Sequence, residues 1–194
     1  MNLNLPSSPQ EQIEVALDAN VKGMDIILIN DEYCLHMSDF GVNAELIRKY
    51  EHSKIRGKIG YFLNSIPTLV QSNYPFQFQI KANGQVLQKE GILLAIANAK
   101  SYGTGATVNP NGKIDDGFFE ILVFKNFDFL EILKTLRNEV ELNPDFIEII
   151  STQNARISCK NPVAFQVDGE YIGKRKFVEV SILPHKVKIA SPLQ

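Results

Sequence analysis

The strongest constraint on the fold of this chain is Phe76-Gln77-Phe78-Gln79-Ile80, an apolar–polar alternation followed by Asn83-Gly84 and then Val86. A period of two puts every second side chain on one face, and Asn-Gly supplies two residues that tolerate the positive φ of a type I′ turn. The spacing predicts a β-hairpin with one buried face. Apolar runs at 24–30, 91–98 and 118–124 extend the pattern, and further strands are expected near 146–151, 154–159, 163–167, 176–183 and 185–190. Residues 33–38 read as the return partner of the first run, across a turn at Asn30-Asp31. Short strands divided by turn residues argue for a mainly β, sandwich-like α+β domain.

Three or four helices are expected to decorate it. Near the start, Ser8 is a cap candidate, Pro9 takes the first helical position, and Glu11 falls three residues after the cap. Residues 43–50 and 58–71 carry helical spacing, the second weakened by Pro67, and 127–142 places Phe129, Leu133, Leu136 and Val140 on one stripe. No internal repeat or linker interrupts the 194 residues, a length suited to one domain spanning 1–194.

Composition removes several classes of function. Apolar residues at 44% and charged residues at 22% exclude a disordered or fibrous chain. Twenty Lys and Arg against 22 Asp and Glu leave a net charge of −2, without the basic footprint of a nucleic-acid binder. No apolar run approaches the ~20 residues of a membrane-spanning helix, and the first residues lack the basic start and apolar middle of a signal peptide. Cys34 and Cys159 are solitary, each in a strand-like run, and read as small buried side chains in a reducing, cytoplasmic compartment. His36, His52 and His185 belong to no zinc-binding or nucleophile pattern.

Four segments hold residues that could do chemistry. Lys113-Ile114-Asp115-Asp116-Gly117-Phe118 lies between a polar loop and a strand. Asp-Asp-Gly reads first as a plain turn; the functional alternative is a hard cation such as Mg²⁺, with Asp116 as the carboxylate beside backbone carbonyls. Phe165-Gln166-Val167-Asp168-Gly169-Glu170 is first a hairpin, but the sheet rim would hold the Glu170 carboxylate in place, where it could act as general base toward a hydroxyl. The glycine-rich stretch Ser101-Tyr102-Gly103-Thr104-Gly105 matches no phosphate-binding fingerprint and reads as a flexible connection. Residues 48–58 set five Lys and Arg against one Glu, a charge run that suits a solvated surface or anionic lipid headgroups.

Taken in order, these segments resemble the C-terminal domain of the bacterial diacylglycerol kinase-like lipid kinases, a family that includes sphingosine and ceramide kinases. The resemblance runs from LPSSPQEQIEVAL through MSDFGVNAELIRKY, GKIGYFLNSIPTL, GILLAIANAKSYGTG and KIDDGFFEILVF to VDGEYIG, nearly the whole chain. It implies a Mg²⁺ held by the Asp116 carboxylate and the carbonyls of Lys113 and Phe118, and Glu170 as proton acceptor from a lipid hydroxyl. It further implies ATP as phosphoryl donor, a lipid alcohol met at the membrane surface, and a place in phospholipid biosynthesis. The glycine loop at 103–105 is shorter in glycine than the triple-glycine form of many relatives. The family's nucleotide-binding domain carries Gly-Gly-Asp-Gly-Thr, which this sequence lacks. The 194 residues are therefore expected to lack that N-terminal partner domain and to be inactive alone. An exposed strand edge could pair two copies as a homodimer. Two other readings stand beside this one: a free-standing β-sandwich binding or regulatory module, and a domain of the related NAD kinase type.

Overall fold

The computed structural model describes residues 5–18, 20–51, 75–102, 106–126 and 143–192. Helix α1 (Pro9–Leu17) begins where the proline predicts, but the Ser8 side chain makes no capping bond, and Ile13 and Leu17 remain 61% and 77% exposed. Strand β1 (Val21–Ile29) turns at Asn30, whose φ of 52° lies in the left-handed region, into the short β2 (Glu32–Cys34). The expected single return strand over 33–38 is in fact divided. Its first half pairs with β1; its second half belongs to β3 (Met37–Gly41), which lies elsewhere in the sheet. Helix α2 (Val42–Glu51) follows.

The hairpin of β4 (Phe76–Ala82) and β5 (Gln85–Gly91) forms as the alternation requires. Asn83 and Gly84 both have positive φ, 51° and 73°, and Ala82 pairs with Gln85. Strand β6 (Leu93–Ala97) is almost wholly buried. The stretch beginning at Ser101, read as a flexible connection, opens a small ribbon instead, β7 (Ser101–Tyr102) against β8 (Ala106–Thr107). After β9 (Phe119–Phe124) and β10 (Ile147–Thr152), two long strands complete the chain, β11 (Asn154–Val167) and β12 (Glu170–Ala190). The expected helices at 58–71 and 127–142, the glycines at 103–105, and most of the basic run 48–58 lie outside the described residues.

The main sheet is antiparallel throughout, in the order β10-β9-β6-β3-β11-β12-β1-β2, with β4 and β5 joined to β11. Strand β11 makes two layers out of it. Its first half pairs with β4 and its second with β3, and between them residues 159–162 stand opposite little more than Lys176 of β12. A bulge of this size bends the strand, so one continuous ladder folds over itself. The interior contains Ile27, Phe40, Phe78, Ile80, Leu94, Ile121, Ile157, Phe165 and Val178. A second apolar cluster, including Met37, Leu122, Phe124 and Phe146, lies on the other face of β6 and β9. Both cysteines are buried as expected.

Candidate functional site

Glu170 opens β12 immediately after the Asp168-Gly169 turn, paired with Val167 and exposed to solvent. Positive φ at both turn residues, 48° and 93°, explains why glycine occupies the second position. Asp168 does more than turn the chain. Its Oδ2 accepts the Leu35 N–H at 2.7 Å, and its Oδ1 accepts those of His36 and Met37 at 2.9 and 3.0 Å. The Asp168 N–H donates in return to the Met37 carbonyl at 2.9 Å. The carboxylate thus sits in a cradle of three backbone donors from the β2–β3 connection. The Cys34 thiol also donates to Oδ1 at 3.4 Å, and burial, reinforced by the Asp168 charge, pushes its pKa well above the ordinary thiol value.

The same turn is held from the sheet side. The Gly169 N–H donates to Gln166 Oε1 at 2.7 Å, and Gln166 Nε2 donates to Asp39 Oδ2 at 2.6 Å. Asn43, in the first turn of α2, donates to that same oxygen at 2.7 Å. Gln166 and Asp39 are both buried, so the hairpin tip is fixed by a polar pair inside the domain. The Glu170 carboxylate itself makes no hydrogen bond or ion pair among the described residues. A rigid turn therefore presents a free, solvent-facing carboxylate.

The 113–118 loop is anchored by Asp25, a wholly buried carboxylate in the middle of the apolar β1. Its Oδ2 accepts the Gly117 N–H at 2.7 Å, and its own backbone N–H donates to the Ile114 carbonyl at 2.7 Å. Its Oδ1 accepts the His185 N–H at 2.7 Å, and the His185 imidazole Nδ1 stands 3.7 Å away. That bond satisfies the bulge in β12, where Pro184, His185 and Lys186 face the single residue Asp25. Within the loop, Asp115 is committed to Lys22 at 2.8 Å, whereas Asp116 is exposed and its Oδ1 accepts only the Phe118 N–H at 3.1 Å. Two loop carbonyls are taken, that of Ile114 by Asp25 and that of Gly117 by Gln153 at 3.1 Å. Neither belongs to the set of Lys113, Asp116 and Phe118. That set is all oxygen, with one carboxylate, and its chemistry fits a hard divalent cation completed by water. No cluster of three or more His, Cys, Asp or Glu suited to a metal occurs among the described residues.

Asn98 joins the two loops. Fully buried at the end of β6, it donates from Nδ2 to the Asp25 carbonyl at 2.7 Å and to the Leu35 carbonyl at 3.4 Å, while its backbone N–H donates to the His36 carbonyl at 3.0 Å. A continuous run of hydrogen bonds therefore passes from Asp168 through residues 35–37, Asn98 and Asp25 to Gly117. No bond joins Asp116 directly to Glu170 among the described residues; the two loops share a frame. Behind the 113–118 loop, Glu120 is buried on β9 between Asn109 Nδ2 at 2.7 Å and the Ser151 hydroxyl at 3.1 Å. Burial raises its pKa above the ordinary carboxyl value, those two donors lower it, and the Asp116 charge raises it a little further.

Sequence reasoning singled out Glu170, Asp116, Lys113 and Phe118 but missed Asp25, Asp39, Asn98 and Gln166. The available signal was a polar or charged side chain inside an otherwise apolar strand, at Met24-Asp25-Ile26 and Ser38-Asp39-Phe40.

A family model described as the YegS C-terminal NAD kinase beta sandwich-like domain matches residues 37–191. The chain is 26% identical over 195 residues to a protein of Chromohalobacter salexigens named "Probable lipid kinase YegS-like", covering 98% of this chain and 62% of that protein. It is 21% identical to the Escherichia coli (strain SMS-3-5) protein named "Probable lipid kinase YegS", covering 98% of this chain and 64% of the relative. The chain thus spans under two thirds of the length of these curated relatives. A crystal structure described as a diacylglycerol kinase of Bacillus anthracis superposes with a TM-score of 0.68 at 16% identity, over 98% of this chain and 61% of that one. At that identity the match establishes the fold.

Proposed function

The chain belongs to the family of YegS C-terminal NAD kinase beta sandwich-like domains, and on that premise we propose that it is the acceptor-side domain of an ATP-dependent lipid kinase. The observation that carries this reading is the free carboxylate of Glu170 on a hairpin tip locked by Asp168 and Gln166. Phosphoryl transfer depends mainly on positioning the acceptor oxygen in line with the phosphorus, with a base to take its proton. A carboxylate on a mobile loop would serve that role poorly, because the proton must be met within about 3 Å.

In this account a lipid alcohol presents its hydroxyl to Glu170, the hydroxyl oxygen bonds to the γ-phosphorus of ATP, its proton passes to Glu170, and ADP leaves. Nucleotide binding is assigned to a separate domain, as the relatives' greater length suits. Asp116, with the carbonyls of Lys113 and Phe118, would hold Mg²⁺. Once bound, that ion would supply a fixed positive charge to the loop that Asp25 anchors.

The test joins this chain to the nucleotide-binding portion of a relative and follows labelled phosphate from ATP into diacylglycerol. Replacing Glu170 by Gln is expected to lower turnover by ~10²–10⁴-fold, the range for loss of a general base. Full activity in that enzyme would remove the assignment.

A further inference from the structure

Asparagine precedes glycine twice in the chain, at Asn83-Gly84 and Asn111-Gly112, and the fold treats the two pairs differently. A glycine in second place leaves its amide nitrogen unshielded and its backbone free to turn, so that nitrogen can reach the asparagine carboxamide carbon. At the β4–β5 turn the Asn83 carboxamide is clamped at both ends. Its Nδ2 donates to the Ser151 carbonyl at 2.9 Å, and its Oδ1 accepts the Thr152 hydroxyl at 3.0 Å. The paired strands hold its backbone on either side. Asn111 lies instead in an irregular turn between β8 and β9, exposed, and its carboxamide makes no hydrogen bond among the described residues. One bond opposes its reaction, from the Gly112 N–H to the Asn109 carbonyl at 3.0 Å. The pairs Asp116-Gly117 and Asp168-Gly169 have no ammonia to lose. The Gly117 N–H and the Asp168 carboxylate are, besides, held by hydrogen bonds.

We propose that Asn111 is a site of spontaneous modification, deamidating through a cyclic imide with Gly112, and that the isoaspartate formed dismantles the wall behind the 113–118 loop. The Gly112 nitrogen gives up its proton and bonds to Asn111 Cγ; the Cγ–Nδ2 bond breaks and ammonia leaves with that proton. Water then opens the imide at one carbonyl or the other, giving aspartate or isoaspartate. Isoaspartate routes the main chain through the side-chain methylene, which lengthens the link to Gly112 by one carbon. Gly112 has no room to absorb it. The residue is buried, and a Cβ there would stand only 2.3 Å from Asn109 Nδ2. That same Nδ2 is the donor that reaches the buried Glu120 carboxyl at 2.7 Å. Moving Gly112 therefore breaks the turn bond and pushes Asn109 away from Glu120.

The experiment incubates the full 194-residue chain in warm, mildly alkaline buffer and follows each asparagine by peptide mapping with mass detection. An isoaspartate methyltransferase with a labelled methyl donor reports the isoaspartate. Asn111 is expected to react at least ~10-fold faster than Asn83, whose carboxamide must first break two hydrogen bonds. Thr152→Val removes one of those bonds and should speed Asn83 a few-fold without changing Asn111. Asn111→Gln should abolish the fast phase, and thermal melts of both variants establish that they are folded. The purified isoaspartate form should show faster amide exchange at Asn109 and Gly112. Asn111→Asp, which has the new charge without the extra carbon, should exchange like the fresh chain. Equal rates at the two asparagines, Asn83 reacting first, or an Asn83 rate unmoved by Thr152→Val would overturn the proposal. So would an isoaspartate form that exchanges no faster than Asn111→Asp.

Discussion

Replacing Asp168 tests whether the hairpin that carries Glu170 is held by one carboxylate. Asp168→Gly keeps the turn, because glycine adopts the φ of 48° without strain, and removes only the acceptor. The three backbone donors it abandons are not equivalent: those of Leu35 and His36 are near solvent and can turn to water, whereas that of Met37 is part-buried. A hydrogen bond to a charged acceptor is worth ~1.5–3 kcal/mol where water cannot replace it, and ~0.5 kcal/mol is a fair figure for each exposed bond. The expected loss in urea unfolding is therefore about 2.5–4 kcal/mol. Asp168→Asn tolerates the same backbone and keeps one carbonyl oxygen, so it should lose about half as much. Amide exchange at Leu35, His36 and Met37 should accelerate in the order wild type, Asn, Gly. The Cys34 thiol should also titrate lower in both variants, since the Asp168 charge helps to raise it, although burial remains the larger cause. A Gly variant within 0.5 kcal/mol of wild type (about the size of one exposed bond), with unchanged exchange at 35–37, would refute the reasoning.

Three further outcomes are expected. Glu120 has a raised pKa in the folded state, so folded protein holds that proton more tightly than the unfolded chain. Stability should fall as pH rises from the ordinary carboxyl value through the folded one. Glu120→Gln lacks that slope and should gain on wild type as pH rises above ~4.3, the ordinary carboxyl value; parallel profiles from denaturation at each pH would contradict it. Cys159, pushed by burial to about 12, and Cys34, also raised, should resist a thiol reagent at pH 8 until the protein unfolds, and rapid stoichiometric labelling of native protein would count against their burial. Asp116→Ala should weaken Mg²⁺ binding at least ~10-fold in calorimetry, because it removes the one carboxylate of the set; an unchanged titration would dismiss the ligand assignment.

How legible each part was depends on the range over which its cause acts. The β4–β5 hairpin is local chemistry, alternation plus Asn-Gly, and it formed as written. The long strands were not legible because Pro162 and Pro184 look like strand ends, yet both sit in bulges, where the missing N–H costs the ladder nothing. The exposed apolar face of α1 shows the reverse case: periodicity identified the helix but not whether its stripe is buried. At the site, Asp-Asp-Gly and Asp-Gly-Glu suit plain turns as well as chemistry, so only the resemblance separated the two. Asp25 and Asp168 bind backbone 92 and 131–133 residues away, which no local pattern announces.

The central structural claim is that both loops are parts of one hydrogen-bonded frame with Asn98 at its middle. Amide exchange in an Asn98→Ala variant tests it most directly, since that change frees the Asp25 and Leu35 carbonyls together. The account predicts faster exchange at both ends, at Gly117 and at residues 35–37. Exchange altered beside residue 98 alone, with Gly117 as protected as in wild type, would contradict it.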